Sequence, residues 1–229
     1  MEASTALYLT IIFLVIASFP AVIWFFRFRK TMIKRQSQLA RYLEDEFRPR
    51  DKTYWLLGYL VGFRARYLVQ RGLIDNVHVL YITPPYHVFF YLPIIALFKK
   101  RERLDVIIRF REGVRMGGIA HIADTSIRTI KAVLHRDMGD RTKYREAEEV
   151  VVGRRYKAYY TSPRALEIAR RILREASLHA RIYRVTVDGT SRTIMISFEP
   201  GKTEEVRKVL KVLWGILPDL REKPSNNQG

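Results

Sequence analysis

The sequence predicts an α+β protein with a single N-terminal transmembrane helix, a helical stalk and a basic cytosolic α+β region that ends in a β-α-β-β-α unit. Three observations lead to this fold class. An uncharged run of twenty residues, Leu7 to Phe26, is followed directly by basic residues. Short aromatic and β-branched segments later alternate with amphipathic ones. The chain has 229 residues, which allows one anchor and one or two small domains with their own cores.

The anchor is predicted within residues 1–26. Twenty residues at about 1.5 Å each cover the ~30 Å hydrocarbon core of a bilayer. Tyr8 and Trp24 lie near the two ends of the run, where aromatic side chains suit the membrane interfaces. A cleaved signal peptide would begin with basic residues and have a shorter apolar run, whereas the only charge before this run is Glu2. The basic residues after the run place that side in the cytoplasm and the N-terminus outside the cell membrane.

A helical stalk is predicted for residues 27–49. Leu39, Leu43 and Phe47 follow one another at intervals of four and give the stalk one apolar edge. Pro49 is expected to end the helix. This edge would pack on the following domain or on a second copy of the chain.

Residues 50–140 are predicted to form a β-rich domain. Every odd position from Trp55 to Val69 is apolar, which favours one long strand with a buried face. The spacing of Gly58 and Gly62 also fits a helix that packs closely on another helix. Leu104 to Arg111 is a further predicted strand.

The apolar run from Val77 to Phe98 has two interpretations. We predict two buried strands, residues 77–83 and 86–92, joined at Pro84 and Pro85, because aromatic and β-branched residues dominate both. The alternative is a second or re-entrant membrane segment, since the run is long enough to span a bilayer. Both flanks are basic, which opposes a crossing.

The segment from Glu112 to Asp140 is ambiguous. Asp124 could cap a helix that continues to His135, with Ile127, Ile130 and Leu134 on one face. A strand fits nearly as well.

Residues 141–217 are predicted to form the β-α-β-β-α domain. A strand over residues 150–160 precedes a helix that begins at Ser162-Pro163 and continues through residue 178. Strands over residues 182–187 and 192–198 flank a tight turn at Asp188-Gly189. Thr203 is expected to cap a last helix that Pro218 stops. Residues 218–229 are predicted to be a disordered tail.

The composition excludes several chemistries. There is no cysteine, so disulfides, thiolate metal sites and cysteine nucleophiles are ruled out. Pro200-Gly201-Lys202-Thr203 resembles the end of a phosphate-binding loop, but the glycine that this motif needs five residues before the Gly-Lys pair is Ile196. The five histidines lack metal-ligand spacing. No metal, cofactor or catalytic residue is predicted, and the scarcity of Asn and Gln fits a thermophile.

Two groups of basic residues are candidate binding residues, because the net charge of +18 concentrates anions near the surface. The juxtamembrane group sets the topology and suits anionic lipid headgroups; it comprises Arg27, Arg29, Lys30, Lys34 and Arg35. The second group is an expected anion-binding surface on the predicted β-α-β-β-α unit; it comprises Arg164, Arg170, Arg171, Arg174, Arg181, Arg184 and Arg192.

The predicted function is that of a non-catalytic, membrane-anchored interaction or assembly subunit. Its expected partners are the lipid bilayer, anionic lipids and an acidic protein. An alternative is a membrane-tethered binder of RNA or ribosomes, although the hairpin strands offer only Tyr183 and Phe198 as stacking residues. A second alternative is an enzyme whose site the sequence does not reveal, because fold and charge never exclude one.

Overall fold

Helix α1 connects an exposed apolar segment to the folded domain without a break. A computed structural model describes residues 2–58, 60–98, 100–127, 138 and 141–220, and in it α1 comprises Glu2–Phe47. Its apolar N-terminal half is exposed, and within those ranges it is the one helix long and apolar enough to cross a membrane. Its last turns bury Leu39, Leu43 and Phe47 in the domain core. The predicted helix to Phe47 is confirmed, and Pro49 follows it.

The strands of the described chain form one antiparallel sheet of nine. They lie in the order β1-β2-β3-β4-β9-β8-β5-β7-β6, and every neighbouring pair is antiparallel. The α+β class is therefore confirmed. The strands are β1 (Asp51–Leu56), β2 (Gly62–Arg71), β3 (Ile74–Ile82), β4 (Arg103–Phe110), β5 (Ile119–Asp124), β6 (Arg145–Val151), β7 (Arg154–Tyr160), β8 (Ile182–Asp188) and β9 (Thr193–Phe198).

Helices cover one face of this sheet. The helices after α1 are the short α2 (Leu92–Leu97), α3 (Pro163–Ser177) and α4 (Thr203–Ile216). The end of α1, α3 and α4 bury their apolar residues in a single core with alternate residues of the strands. Phe47 is edge-on to Trp214 of α4, with ring centroids 5.6 Å apart, and lies 5.8 Å from the ring of Tyr67 on β2. The stalk is thus part of the core, because burial of its apolar edge stabilises the docked helix.

Strands from both predicted domains share the sheet. β4 pairs with β9 in the centre, and β5 lies between β8 and β7. Residues 50–140 and 141–217 therefore do not form separate sheets.

The prediction of one strand from Trp55 to Val69 is wrong. These residues form the β1–β2 hairpin, in which Leu56 pairs with Phe63. Gly62 has φ +147°, and a Cβ there would lie 1.9 Å from the carbonyl oxygen of Tyr81. The period-two pattern continued through the turn, so the glycines mark the reversal of the chain and not a helix-packing face.

The predicted strand over residues 86–92 is also wrong. β3 ends at Ile82, and the chain then forms a 3-10 turn at Phe89–Tyr91 and the α2 helix. Pro93 occupies the first turn of α2, where a missing N–H costs nothing. The predicted strand over residues 77–83 is confirmed as part of β3.

Smaller differences occur elsewhere. The predicted strand over residues 150–160 is a hairpin of β6 and β7 with Val152 and Gly153 at positive φ in its turn. Lys202, not Thr203, occupies the N-cap position of α4. Asp124 ends β5, and most of the alternative helix from Asp124 to His135 lies outside the described residues. Residues 217–220 form a 3-10 turn, and the remainder of the predicted tail lies outside those residues too.

Candidate anion-binding face of the sheet

The face of the sheet opposite the helices carries a group of basic side chains on β2, β3 and β4. Alternate residues of a strand point to opposite faces. Because Ala65 and Tyr67 enter the core, Arg64 and Arg66 point away from it, and both are exposed. Arg66 pairs with His78 on β3, and Arg109 of β4 pairs with Asn76. The register therefore places three arginines around His78. We call Arg64, Arg66, His78 and Arg109 the open-face cluster.

The positive charge of the open-face cluster is uncompensated among the residues that the structure describes. No carboxylate there lies within ion-pair distance of Arg64, Arg66 or Arg109. Partial burial of His78 lowers the pKa of its imidazole, and the three arginines lower it further. His78 is therefore neutral at pH 7, and the arginines supply the charge of the cluster.

The edge strand β1 borders this cluster. β1 pairs only with β2 in the described sheet, and all six of its residues are exposed. The guanidinium carbon of Arg64 lies 5.9 Å from the centre of the Trp55 ring, so Arg64 leans toward the edge. No described strand pairs with the outer side of β1, so its main-chain groups can pair with an added strand, although the Lys52 amide donates to Asp51 Oδ1 at 2.8 Å. The cluster and the edge together offer charge and main-chain hydrogen bonds to one extended ligand.

A second polar group on the same face is buried in the middle of the sheet. Asp105 of β4 accepts a hydrogen bond from the Ser197 hydroxyl at 2.5 Å and forms an ion pair with Arg103 at 3.2 Å. Burial raises the pKa of Asp105, although Arg103 and Ser197 both oppose the shift. On β8, Arg184 donates to the Thr186 hydroxyl at 2.9 Å.

His121 continues this buried group onto β5. Its Nδ1 atom lies 3.1 Å from the Thr186 hydroxyl, and the Tyr144 ring packs over the imidazole with centroids 5.8 Å apart. His121 is only 5% exposed. These side chains are hydrogen-bonded and buried, so we expect them to stabilise the interior of the sheet. They are poorly placed to bind a ligand from solvent.

The juxtamembrane residues predicted from sequence lie on α1 just beyond its apolar half. Arg27, Arg29, Lys30 and Lys34 are exposed. Arg35 forms an ion pair with Glu102 at 2.8 Å and donates to the carbonyl of Pro200 at 3.1 Å. Arg35 therefore links α1 to the domain, whereas the side chains of the other four residues are exposed to solvent.

The structure divides the seven predicted anion-binding arginines between the two sides of the sheet. On the helix side, Arg170 and Arg174 both approach Glu149, at 2.5 and 3.8 Å. Arg171 pairs with Glu175 at 2.9 Å and with Asp219. Their charges are largely matched by carboxylates.

The remaining four arginines are spread out. Arg181 forms an ion pair with the buried Asp124 at 3.5 Å, and Arg192 with Glu112 at 3.4 Å. Arg184 belongs to the buried group on the open side, and Arg164 is exposed near the start of α3. The anion-binding role of these seven stays a prediction.

Sequence reasoning missed the open-face cluster, although a signal for it was present. The alternation that placed Phe63, Ala65 and Tyr67 on a buried face also places Arg64 and Arg66 together on the other face. Arg109 occupies the equivalent outward position in the predicted strand over residues 104–111. The charge of the outward positions, even-numbered in the strand that contains Arg64 and Arg66 and odd-numbered in the strand that contains Arg109, would have identified the cluster.

Among the described residues no group of three His, Asp or Glu side chains has the geometry to hold a metal ion. No protein-family model matches the chain, and no curated protein matches its sequence.

Proposed function

We propose that the chain is a non-catalytic, membrane-anchored interaction subunit that binds an extended acidic segment of a partner protein at the open-face cluster. One observation carries the proposal: Arg64 and Arg66, which have no carboxylate partner in the described chain, lie on β2 directly beside the open edge strand β1, and Arg109 adds a third unpaired charge further in on the same face. An added strand forms main-chain hydrogen bonds with the edge, and its alternate side chains reach one face. Acidic residues at those positions would meet Arg64 and Arg66, which suit carboxylates by bidentate pairing.

The proposed anchor is the N-terminal half of α1. In this proposal α1 spans the cell membrane with the N-terminus outside and the domain in the cytoplasm, as the basic residues after Phe26 favour. Because α1 is continuous and its last turns are in the core, the domain is held close to the bilayer. The exposed Arg27, Arg29, Lys30 and Lys34 would then meet anionic headgroups, at roughly 1 kcal/mol for each charge near the surface.

The proposed topology can be tested by cysteine labelling, since the natural chain has no cysteine. Ser4→Cys should react with an impermeant thiol reagent in intact cells, and Ser225→Cys should react only after lysis. Labelling of Ser225→Cys but not Ser4→Cys in intact cells would reverse the orientation.

A second candidate function is the binding of single-stranded RNA to the same face. The observation that favours it is the exposed Trp55 ring beside Arg64, because an aromatic ring and arginines together bind stacked bases and phosphates. Among the described residues, one such ring contacts the cluster, whereas RNA-binding sheets stack two or three bases. The open edge strand gives the acidic peptide the better fit.

The test measures binding of labelled ligands to the detergent-purified full chain by fluorescence anisotropy. The first probe is an alternating Glu-Val peptide of about ten residues, which places all its glutamates on one face when extended. The second has the same composition in two blocks, and the third is oligouridine of similar length. The binding variant is the triple substitution Arg64→Ala, Arg66→Ala and Arg109→Ala. Its matched control is Lys202→Ala, Lys208→Ala and Lys211→Ala, which removes the same charge from exposed positions on and before α4.

We expect the alternating peptide to bind more tightly than the block peptide. The triple arginine substitution should weaken the affinity for the alternating peptide roughly tenfold or more, since about 1.4 kcal/mol corresponds to tenfold. The lysine control should weaken that affinity by less than about twofold. Equal losses in both variants would mean that net charge alone drives binding, which contradicts the proposed site. Preferential binding of oligouridine at about 0.15 M salt, lost on Trp55→Ala, would establish the RNA function instead.

A further inference from the structure

The segment between β3 and β4 exposes an unusual amount of apolar surface. After Thr83 the chain leaves the sheet and forms α2 before returning at Arg103. Only Ile95 of α2 is buried, while Leu97 is 77% exposed. The exposed apolar side chains of this segment are Val88, Phe89, Phe90, Ile94, Leu97 and Phe98. A soluble surface seldom carries so continuous a patch without a partner.

This segment packs against α1 at the end of its apolar half. The indole Nε1 of Trp24 donates to the carbonyl oxygen of Tyr86 at 2.8 Å. The Trp24 ring lies edge-on to Phe89, with centroids 6.2 Å apart, and Phe28 lies 5.8 Å from the Tyr86 ring. Trp24 is the residue whose position suits a membrane interface. The exposed apolar patch is therefore continuous with the apolar surface of α1 at that level.

A second apolar connection lies at the same end of the sheet. Leu56 and Leu57, in the β1–β2 hairpin, are 80% and 42% exposed. The hairpin adjoins the end of β3, because the Thr83 amide donates to the carbonyl of Val61 at 2.8 Å. Two connections that are separate in sequence thus carry exposed apolar side chains at the end of the sheet that contacts α1 through Tyr86 and Phe89.

Charged groups lie next to these exposed apolar side chains, further from the apolar half of α1. Arg35 pairs with Glu102, and Arg101 pairs with Glu199 at 3.0 Å. The Nζ atom of the exposed Lys100 lies 5.2 Å from the centre of the Tyr91 ring. The end of the domain thus has an apolar layer, then aromatic rings at the edge of that layer, and then charged groups. A bilayer interface shows the same order, from hydrocarbon to headgroups.

We infer that this end of the domain, residues 84–98 with Leu56 and Leu57, is immersed in the interfacial layer of the membrane and seats the domain on the bilayer. The occupant of the apolar patch is lipid, and the contact fixes the tilt of the sheet. β2 and β3 then extend away from the bilayer, with Arg64 nearest to it and Arg109 farther away. The inference rests on the proposed anchoring of α1, and the experiment below separates the two.

The experiment uses single-cysteine variants of the full chain, each labelled with an environment-sensitive fluorophore. The protein is reconstituted in phosphatidylcholine vesicles with about a quarter phosphatidylglycerol, to match an anionic leaflet, with or without spin-labelled lipids as quenchers. The reporters are Leu97→Cys, Phe90→Cys and Leu56→Cys. Leu14→Cys, in the apolar half of α1, is the positive control. Thr190→Cys, in the exposed turn between β8 and β9 at the opposite end of the sheet, is the negative control.

We expect lipid quenching at all three reporters to exceed that at Thr190 by several-fold and to approach that at Leu14. Quenching at Leu14 with Leu97, Phe90 and Leu56 at the level of Thr190 would overturn the inference while the anchor stands. Absence of quenching at Leu14 as well would overturn the proposed anchor. Circular dichroism of each labelled protein confirms that the exposed substitutions leave the fold intact.

A second measurement tests whether the two connections are seated together. Phe90→Asp with Leu97→Asp should reduce quenching at a label on Leu56, because charge is costly in the apolar layer. The same two substitutions should leave quenching at Leu14 unchanged. Undiminished quenching at Leu56 would show that residues 84–98 do not hold the hairpin at the membrane.

Discussion

The two faces of the nine-stranded sheet differ although the same strands build both. On the covered face, Val106 and Ile108 of β4 are buried beneath helices, in a core shared with α1, α3 and α4. On the open face, the alternate residues Ile107 and Arg109 are half-buried and exposed. The covered face holds the molecule together through apolar burial. The exposed arginines of the open-face cluster, unlike the buried Asp105 and Arg184 on the same face, carry charge whose removal would cost little stability and which is therefore available for recognition.

The sharpest test of this comparison uses two neighbouring isoleucines on β4. Ile108 is 1% exposed in the core, whereas Ile107 points to the open face. Ile108→Ala should cost roughly 2–5 kcal/mol, because it leaves a cavity as well as losing burial. Ile107→Ala should cost roughly 1 kcal/mol, because its site is open enough to be filled by solvent. Thermal unfolding of the full chain in detergent measures both, at about 2–4 °C for each kcal/mol. Equal costs would mean that the open face is as tightly packed as the covered one.

Truncation of an arginine should lower stability on the covered face and ligand binding on the open face. Arg170 holds Glu149, which is only 9% exposed, whereas the structure shows no carboxylate beside Arg66 in the described chain. Arg170→Ala leaves a mostly buried carboxylate with only Arg174 at 3.8 Å. Since Arg170 itself is partly exposed, the expected cost is about 1–2 kcal/mol. Arg66→Ala should change the free energy of unfolding by less than about 0.5 kcal/mol, but it should weaken binding of the acidic peptide.

The double variant Arg170→Ala with Glu149→Gln is the matched control for that prediction. It removes the unpaired charge together with its partner, so part of the lost stability should return. If the double variant is as unstable as the sum of the two single variants, the ion pair does not stabilise the fold.

Local sequence patterns predicted those elements whose boundaries coincide with a change of pattern. The helix to Phe47 followed from apolar periodicity and from Pro49, and the strands within β3 and β4 followed from their aromatic and β-branched residues. The β1–β2 hairpin did not, because the alternation passed unbroken through its turn and only Gly58 and Gly62 marked it. The segment after Pro85 has the composition of a strand, but it packs on α1. Its conformation depends on a tertiary contact that no local propensity contains.

The candidate site was less predictable than the fold. Four of the seven arginines predicted from sequence lie on α3, yet Glu149 and Asp219 bring carboxylates to three of these four from other elements. The open-face cluster draws on three strands, and its assembly requires the pairing of β2, β3 and β4. Charge can be counted from sequence, whereas the pairing of charges requires the register.

The smallest expected effect concerns the buried carboxylate of Asp105, which lies on the open face of β4 opposite Ser197 of β9. Burial raises its pKa in the folded protein above the ordinary value of 3.8, although Arg103 and Ser197 resist the shift. The folded state therefore holds this proton more tightly than the unfolded state, so the stability contribution of Asp105 is fully present below about pH 3.8 and is lost as pH rises through its folded pKa. Glu102 shifts in the same direction through burial, so the pH dependence of the natural protein alone does not isolate Asp105. In Asp105→Asn the residue does not titrate, and Glu102 contributes equally to both proteins. The melting temperature of Asp105→Asn minus that of the natural chain should therefore increase between about pH 4 and pH 7, by a few degrees at most. A difference that falls with rising pH would show that Arg103 and Ser197 outweigh burial and hold Asp105 as a stabilising anion.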